Sequence, residues 1–184
     1  QMAVRLVILI LVAFTTILFL ATCNTGPHPL FKKIDPERSG IHFNNRIIEN
    51  DSINPLDLEF LYNGGGVAAG DFNNDGLIDI YFTANMQPAR LYLNKGNLQF
   101  EDITAKAGVG GKRGWKTGVS IADVNGDGFL DIYVCYSGPL DREQRANELY
   151  INNGNLTFTE EAGKMGIADS GYSTQAAFFD YDRD

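Results

Sequence analysis

The sequence predicts an all-β fold, a β-propeller of four-stranded blades, with two blades and the start of a third in the chain. Three observations carry this. An acidic loop recurs at Asp71 ("DFNNDGLID"), Asp123 ("DVNGDGFLD") and Asp180 ("DYDRD"), 52 and then 57 residues apart. "LYLNKGNLQFEDITAKAGV" from Leu91 matches "LYINNGNLTFTEEAGKMGI" from Leu149 in register at Leu, Tyr, Asn, Gly, Asn, Leu, Phe, Lys and Gly. The 20 glycines and the Gly-Asn turns separate short aromatic and β-branched runs. A period in the fifties built from four such runs is the mark of a propeller blade.

Taken in order, residues 1–22 read as an export signal of lipoprotein type. Arg5 precedes the uncharged run "LVILILVAFTTILFLA", which stops before Cys23. Leu20-Ala21-Thr22-Cys23 resembles the bacterial lipobox, and the resemblance implies cleavage before Cys23, its acylation, and a place on the outer membrane or cell surface. An uncleaved signal anchor and simple secretion are the alternatives, since the run is just long enough to span a bilayer. Residues 23–63 read as a tether with Pro27, Pro29, Pro36 and Pro55, and as a partial closing blade. In that partial blade "FKKIDPERSGI" from Phe31 repeats the Phe, Ile and Gly-Ile of "FEDITAKAGV" with one residue more, and its start is expected as a strand.

Residues 64–184 hold the repeats proper. Each unit runs from a small-residue strand ("GGGVAAG", "KTGVSIA", "STQAAFF") through the acidic loop to a strand ("LIDIYFTA", "FLDIYVCY"). After a variable loop come a third strand ("RLYLN", "ELYIN"), a Gly-Asn turn, a fourth ("LQFEDIT", "LTFTEEA") and a Gly-containing connection. Two blades cannot close a ring, so the polypeptide is expected to continue past Asp184 and this stretch alone to be marginally stable.

Composition excludes several functions. A net charge of −8 with no basic stripe argues against nucleic acid as a partner. The two histidines, His28 and His42, both precede the blades, which leaves the repeats no histidine general base. Apart from Cys23 the only cysteine is Cys135, so no disulfide staples the blades. Cys135 itself reads as a buried strand residue.

The acidic loops read as calcium sites. Calcium takes six to eight oxygen ligands, and carboxylates crowded this closely repel one another unless a cation sits among them. Donors at places one, three and five wrap an ion, glycine at six allows the sharp turn, a carbonyl at seven adds a ligand, and a carboxylate at nine completes the set. Asp71, Asn73, Asp75, Leu77 (carbonyl) and Asp79 fit, as do Asp123, Asn125, Asp127, Phe129 (carbonyl) and Asp131. Asp180, Asp182 and Asp184 occupy places one, three and five of a third loop. An EF-hand would need a ligand at place twelve, where Phe82 and Val134 stand, and a helix after it. Asp, Asn and Gly also favour plain turns, but repetition in fixed register favours the cation.

The "D-x-N-x-D-G-x-x-D-I-Y" loops, the "G-V-x-x-x-D" lead-in and "F-x-D-I-T-x-x-A-G-V" resemble the FG-GAP/VCBS repeats of integrin-α-like propellers. They are similar in particular to those of bacterial exported proteins related to cartilage acidic protein, which often carry an ASPIC/UnbV domain further along. The resemblance covers Phe31 to Asp184 and implies calcium in the hairpin loops of a propeller and a role in surface binding or adhesion. The expected function is a calcium-binding surface lipoprotein that acts as an interaction module, with a surface protein or glycan as partner and the membrane engaged through its lipid. The alternative is the non-catalytic propeller of a larger polysaccharide-processing enzyme or envelope uptake complex. Ser137–Glu148, with Asp141, Arg142, Glu143 and Arg145, is a candidate partner surface or else a solvated insertion. Trp115 is a candidate for stacking on a sugar or for packing between blades.

Overall fold

The computed structural model describes residues 29–182, so the export signal, Cys23 and Asp184 lie outside the described residues. Contacts divide the chain at Ile34: residues 29–34 of the first unit carry no helix or strand, and the second unit, from Asp35, holds all the strands. Among the described residues no helix is long and apolar enough to cross a membrane.

Two four-stranded antiparallel sheets form, each in the order of the chain. The first comprises β1 (Val67–Gly70), β2 (Asp79–Phe82), β3 (Arg90–Asn94) and β4 (Phe100–Asp102). The second comprises β5 (Trp115–Ala122), β6 (Asp131–Ser137), β7 (Glu148–Asn152) and β8 (Phe158–Glu160). The acidic loop closes the first hairpin of each sheet, where Gly70 pairs with Asp79 and Ala122 with Asp131. The strand pattern expected for the first two units is therefore met element by element.

Alternation in β6 explains how the sheets stack. Its even-numbered side chains Ile132, Val134 and Tyr136 join Ala68, Tyr81 and Leu91 of the first sheet in one core. Its odd-numbered Tyr133 and Cys135 point the other way, into a second core with Leu149, Ile151 and Ala162. A strand buried on both faces reads as a continuous apolar run, which is how "DIYVCY" reads. The inner strands approach one another closely: a Cβ on Gly66 would lie 2.9 Å from the Val119 nitrogen and 3.0 Å from the Thr117 oxygen.

After each fourth strand the chain makes a helical turn that ends on a left-handed glycine. Thr104–Ala107 closes on Gly108 at φ 76°, and Gly166 takes φ 72° after the turn in which the Met165 N–H donates to the Glu161 carbonyl. The carbonyl that follows each glycine is then fixed by a tyrosine from the strand after the acidic loop. Tyr81 Oη donates to the Val109 oxygen and Tyr133 Oη to the Ile167 oxygen, both at 2.7 Å.

Two expected strands do not form. Residues 31–41 form no ladder, and what repeats there is the helical turn Pro36–Ser39, ending on Gly40 at φ 76°. Asp35 caps it by accepting from Glu37 N–H at 3.0 Å, and Pro36 at its first position has no N–H to lose, a sequence start suited to a helix. "STQAAFF" lies along β5 without becoming a strand. Gly118 N–H donates to Thr174 O at 2.9 Å and Thr117 Oγ1 to Ser173 O at 2.7 Å. In both complete sheets this segment's counterpart pairs with the strand after the acidic loop, and the described residues hold no such strand after Asp180.

Candidate metal loops

The two complete acidic loops adopt one geometry although their sequences differ at four of nine places. In the first, Asp71 accepts from Asp75 N–H at 3.1 Å and Gly76 N–H at 2.7 Å, and Asp75 accepts from Leu77 N–H at 2.8 Å. In the second, Asp123 accepts from Asp127 N–H at 3.1 Å and Gly128 N–H at 2.8 Å, and Asp127 accepts from Phe129 N–H at 2.9 Å. Asn73 and Asn125 each donate to the carboxylate two residues on, at 2.9 Å. Places four and six are left-handed in both, as Asn74 (φ 58°) and Gly76 (φ 84°) and as Gly126 (φ 73°) and Gly128 (φ 89°). Nothing would crowd a Cβ on Gly76 or Gly128, so it is the backbone conformation that requires glycine there.

The ninth place is unlike the rest. Asp79 and Asp131 are 0 % and 1 % exposed, whereas Asp75 and Asp127 face solvent. Asp79 accepts from Phe72 N–H at 3.0 Å and Asn94 N–H at 2.8 Å; Asp131 accepts from Val124 N–H at 2.9 Å and Asn152 N–H at 2.8 Å. Each thus ties the start of its loop to the third strand. Burial holds both carboxyls above the ordinary range and the two N–H bonds oppose it, while Asp75 and Asp71 add to the rise at Asp79, as Asp127 and Asp123 do at Asp131. Among the described residues no three His, Cys, Asp or Glu side chains converge as a metal cluster. The loop carboxylates are turned to N–H groups of their own loop and strands.

The donor set is one for a hard cation. Each loop offers carboxylate and amide oxygens, with the Leu77 and Phe129 carbonyls standing outside the strand ladders, and neither sulfur nor imidazole. A carboxylate oxygen that accepts one N–H keeps a second lone pair for a metal. In the third loop Asp180 and Asp182 are exposed, and Asp184 lies outside the described residues.

The other sequence-based candidates make the following contacts, with Asp141, Arg142 and Glu143 exposed. Ser137–Glu148 folds back through a helical turn at Arg142–Arg145, with the Arg145 guanidinium 4.4 Å over the Tyr172 ring and its Nε donating to Ser170 O at 3.3 Å. Trp115 is 9 % exposed and packs on Gly138, where a Cβ would lie 2.7 Å from its own. It also borders a cavity of about 700 Å³ with Phe60, Gly118 and Gln175, at the end of the inner strands away from the acidic loops. Cys135 is 1 % exposed and burial pushes its thiol up to about 11, with Asp169 adding to the rise, which makes it a poor nucleophile.

Sequence reasoning missed a buried polar cluster between the sheets. Glu148 Oε2 accepts from the hydroxyls of Tyr136 and, at 2.8 Å, Tyr150, while Oε1 accepts from Lys112 N–H at 3.2 Å. Lys116 is 1 % exposed, donates to Gln87 O at 3.2 Å and stands 5.5 Å over the Tyr136 ring. Burial lowers its ammonium from 10.5 to about 8; Glu148 resists the fall and Lys112 adds to it. Between those values the unfolded chain keeps a proton that the folded chain has released, so Lys116 makes stability rise with pH across that window. Above about pH 10 the buried tyrosines reverse the trend, because Tyr81, Tyr136 and Tyr150 stay protonated in the fold while unfolded tyrosines ionise. Melting temperatures of the chain and its Lys116→Met variant should therefore diverge from pH 8 to pH 10, by up to about 1.4 kcal/mol per pH unit in favour of the parent. A constant difference would mean that this lysine is solvated.

Residues 71–134 match the FG-GAP-like repeat family. The chain is similar to cartilage acidic protein 1 of Xenopus tropicalis, 31% identical over 169 residues, which is 89% of this chain and 25% of that protein. It is 28% identical to the human cartilage acidic protein 1 over 166 residues, 88% of this chain and 24% of that protein. The mouse protein of the same name is 32% identical over 118 residues, 64% of this chain and 16% of that protein. The chain spans about a quarter of the length of the Xenopus and human relatives.

Proposed function

We propose that this chain is part of a calcium-stabilised β-propeller that serves as a non-catalytic binding module at the cell surface. The observation that carries the calcium reading is that two acidic loops, far apart in sequence, share the same bonds from the carboxylate at place one to the N–H groups at places five and six and from the carboxylate at place five to the N–H at place seven, the second loop adding Gly126 N–H to Asp123. Asp71, Asn73, Asp75, Leu77 and Asp79 would hold one ion, and Asp123, Asn125, Asp127, Phe129 and Asp131 another; Asp180, Asp182 and Asp184 belong to a third site of the same kind. The cation, when bound, supplies the positive charge that offsets repulsion among these carboxylates. Face-to-face sheets in chain order, a shared core and a third inner segment along β5 support the propeller. The match to an FG-GAP-like repeat and the likeness to cartilage acidic protein 1 support an extracellular interaction role. Within the described blades the tyrosines after the acidic loops serve packing and the cysteine is inert, which favours binding over catalysis.

Calcium calorimetry on the chain is expected to show one ion per complete loop, with Asp75→Ala and Asp127→Ala each removing one. Heat that survives both changes together and also the further change Asp180→Ala would place the cation outside the acidic loops. Cys23 is proposed as the lipid-bearing residue on the lipobox-like "LATC". Cys23→Ser should shift the protein from the membrane to the soluble fraction; an unchanged distribution would favour the signal-anchor reading.

A further inference from the structure

The two complete acidic loops are bonded to each other across the sheet boundary. Asn74 Nδ2, from place four of the first, donates to the Gly128 carbonyl at place six of the second, at 3.0 Å. More deeply, Asn152 is 1 % exposed, and its Nδ2 donates both to Phe72 O at 2.8 Å and to Leu130 O at 3.2 Å. Phe72 stands between the donors Asp71 and Asn73, and Leu130 between Phe129 and Asp131. One buried amide therefore grips a carbonyl in each loop, next to two donor positions in each. The Asn152 N–H completes the junction on Asp131 Oδ1 at 2.8 Å.

Packing reinforces the link. Gly70, the residue before the first loop, has Leu130 Cδ1 of the second loop 2.7 Å from where its Cβ would be, so no side chain fits between them. Phe72 is 1 % exposed and meets Phe158 of the second sheet edge-on, 6.2 Å between ring centres. The equivalent of Asn152 in the first sheet, Asn94, gives its amide to Ile78 O within its own sheet.

We infer that the two loops take up their cations as a coupled pair, with Asn152 as the residue that couples them. The inference rests on the calcium reading above. Drawing the donors of one loop into a single arrangement fixes the carbonyl that Asn152 holds there, and with it the amide. The second loop then finds its own carbonyl partner already ordered, so less freedom is lost when its donors close. Linkage makes the effect reciprocal: each loop raises the other's affinity by the same factor. For two hydrogen-bonded loops that factor is expected at about fivefold, the lower end of ordinary coupling between sites.

Calcium titration against a competing chelator tests this on the full chain. Asp127→Ala reports the first loop alone and Asp75→Ala the second alone. In the parent chain the second ion is expected to bind about fivefold more tightly than these isolated affinities predict, and Asn152→Ala should abolish the excess. Because Asn152→Ala also removes buried bonds, Asn74→Gly serves as the second variant: its left-handed backbone suits glycine, and its loss of one cross-link should reduce the excess. If the parent chain binds no calcium, the proposed function itself fails. If it binds two ions with the affinities of the isolated loops, calcium stands and the coupling is overturned.

Discussion

Asp131→Ala is expected to destabilise the protein by roughly 2–6 kcal/mol even in excess chelator, because it strands two buried N–H donors at about 1–3 kcal/mol each. The carboxylate is 1 % exposed and is the partner of both Val124 N–H and Asn152 N–H. Alanine leaves those donors facing one another where water has no ready access. The matched control is Asp127→Ala in the same loop. Asp127 is exposed and its Phe129 N–H partner can turn to solvent, so in excess chelator that variant should melt within a degree or two of the parent, roughly 0.5 kcal/mol. With calcium present it should lose the stabilisation of one site as well. Thermal melts of the parent and both variants, each in calcium and in chelator, separate Asp131, which is clamp and ligand at once, from Asp127, which is ligand alone. Equal losses in chelator would show that the ninth place is no clamp.

Glu148→Leu is expected to cost about 3–5 kcal/mol, because it strands three donors at about 1–3 kcal/mol each, of which the least buried can re-pair. The side chain is 8 % exposed and takes the hydroxyls of Tyr136 and Tyr150 and the Lys112 N–H, with Lys116 as the nearby positive charge. Leucine fills similar volume yet leaves two phenols and an amide unpartnered between the sheets. Glu148→Gln keeps an acceptor oxygen and should fall between parent and leucine variant. Chemical denaturation gives the order directly, and a leucine variant as stable as the parent would mean that solvent reaches the cluster.

These two sites show what the chain discloses in one dimension and what it withholds. The repeat was legible because Asp71 and Asp123, Tyr81 and Tyr133, and Gly108 and Gly166 recur with their neighbours, and each pair takes the same conformation. The acidic loops were legible as loops, since alternate acids followed by glycine dictate the turn. That their ninth aspartate is buried and spans two strands was not, because its acceptors' partners, Asn94 and Asn152, come from the third strand and are set by sheet pairing. Glu148 read only as the last residue of a loop that was either a partner surface or a solvated insertion, and Lys116 carried no signal of its own. Their burial depends on how two sheets face each other, which no local pattern encodes. "STQAAFF" has the composition of an inner strand, but a strand needs a ladder partner, and none is present for it among the described residues.

Thermal unfolding in millimolar calcium against excess chelator tests the central claim most directly. A cation that binds only the folded loops stabilises each by RT ln(1 + [L]/Kd), about 2.7 kcal/mol at a hundredfold excess over Kd, and raises the melting temperature by several degrees. The account predicts that rise in the parent chain and its disappearance when Asp75 and Asp127 are both alanine. Identical melting curves in calcium and chelator would contradict it, and would leave the aspartates as turn residues held by the N–H groups they already accept.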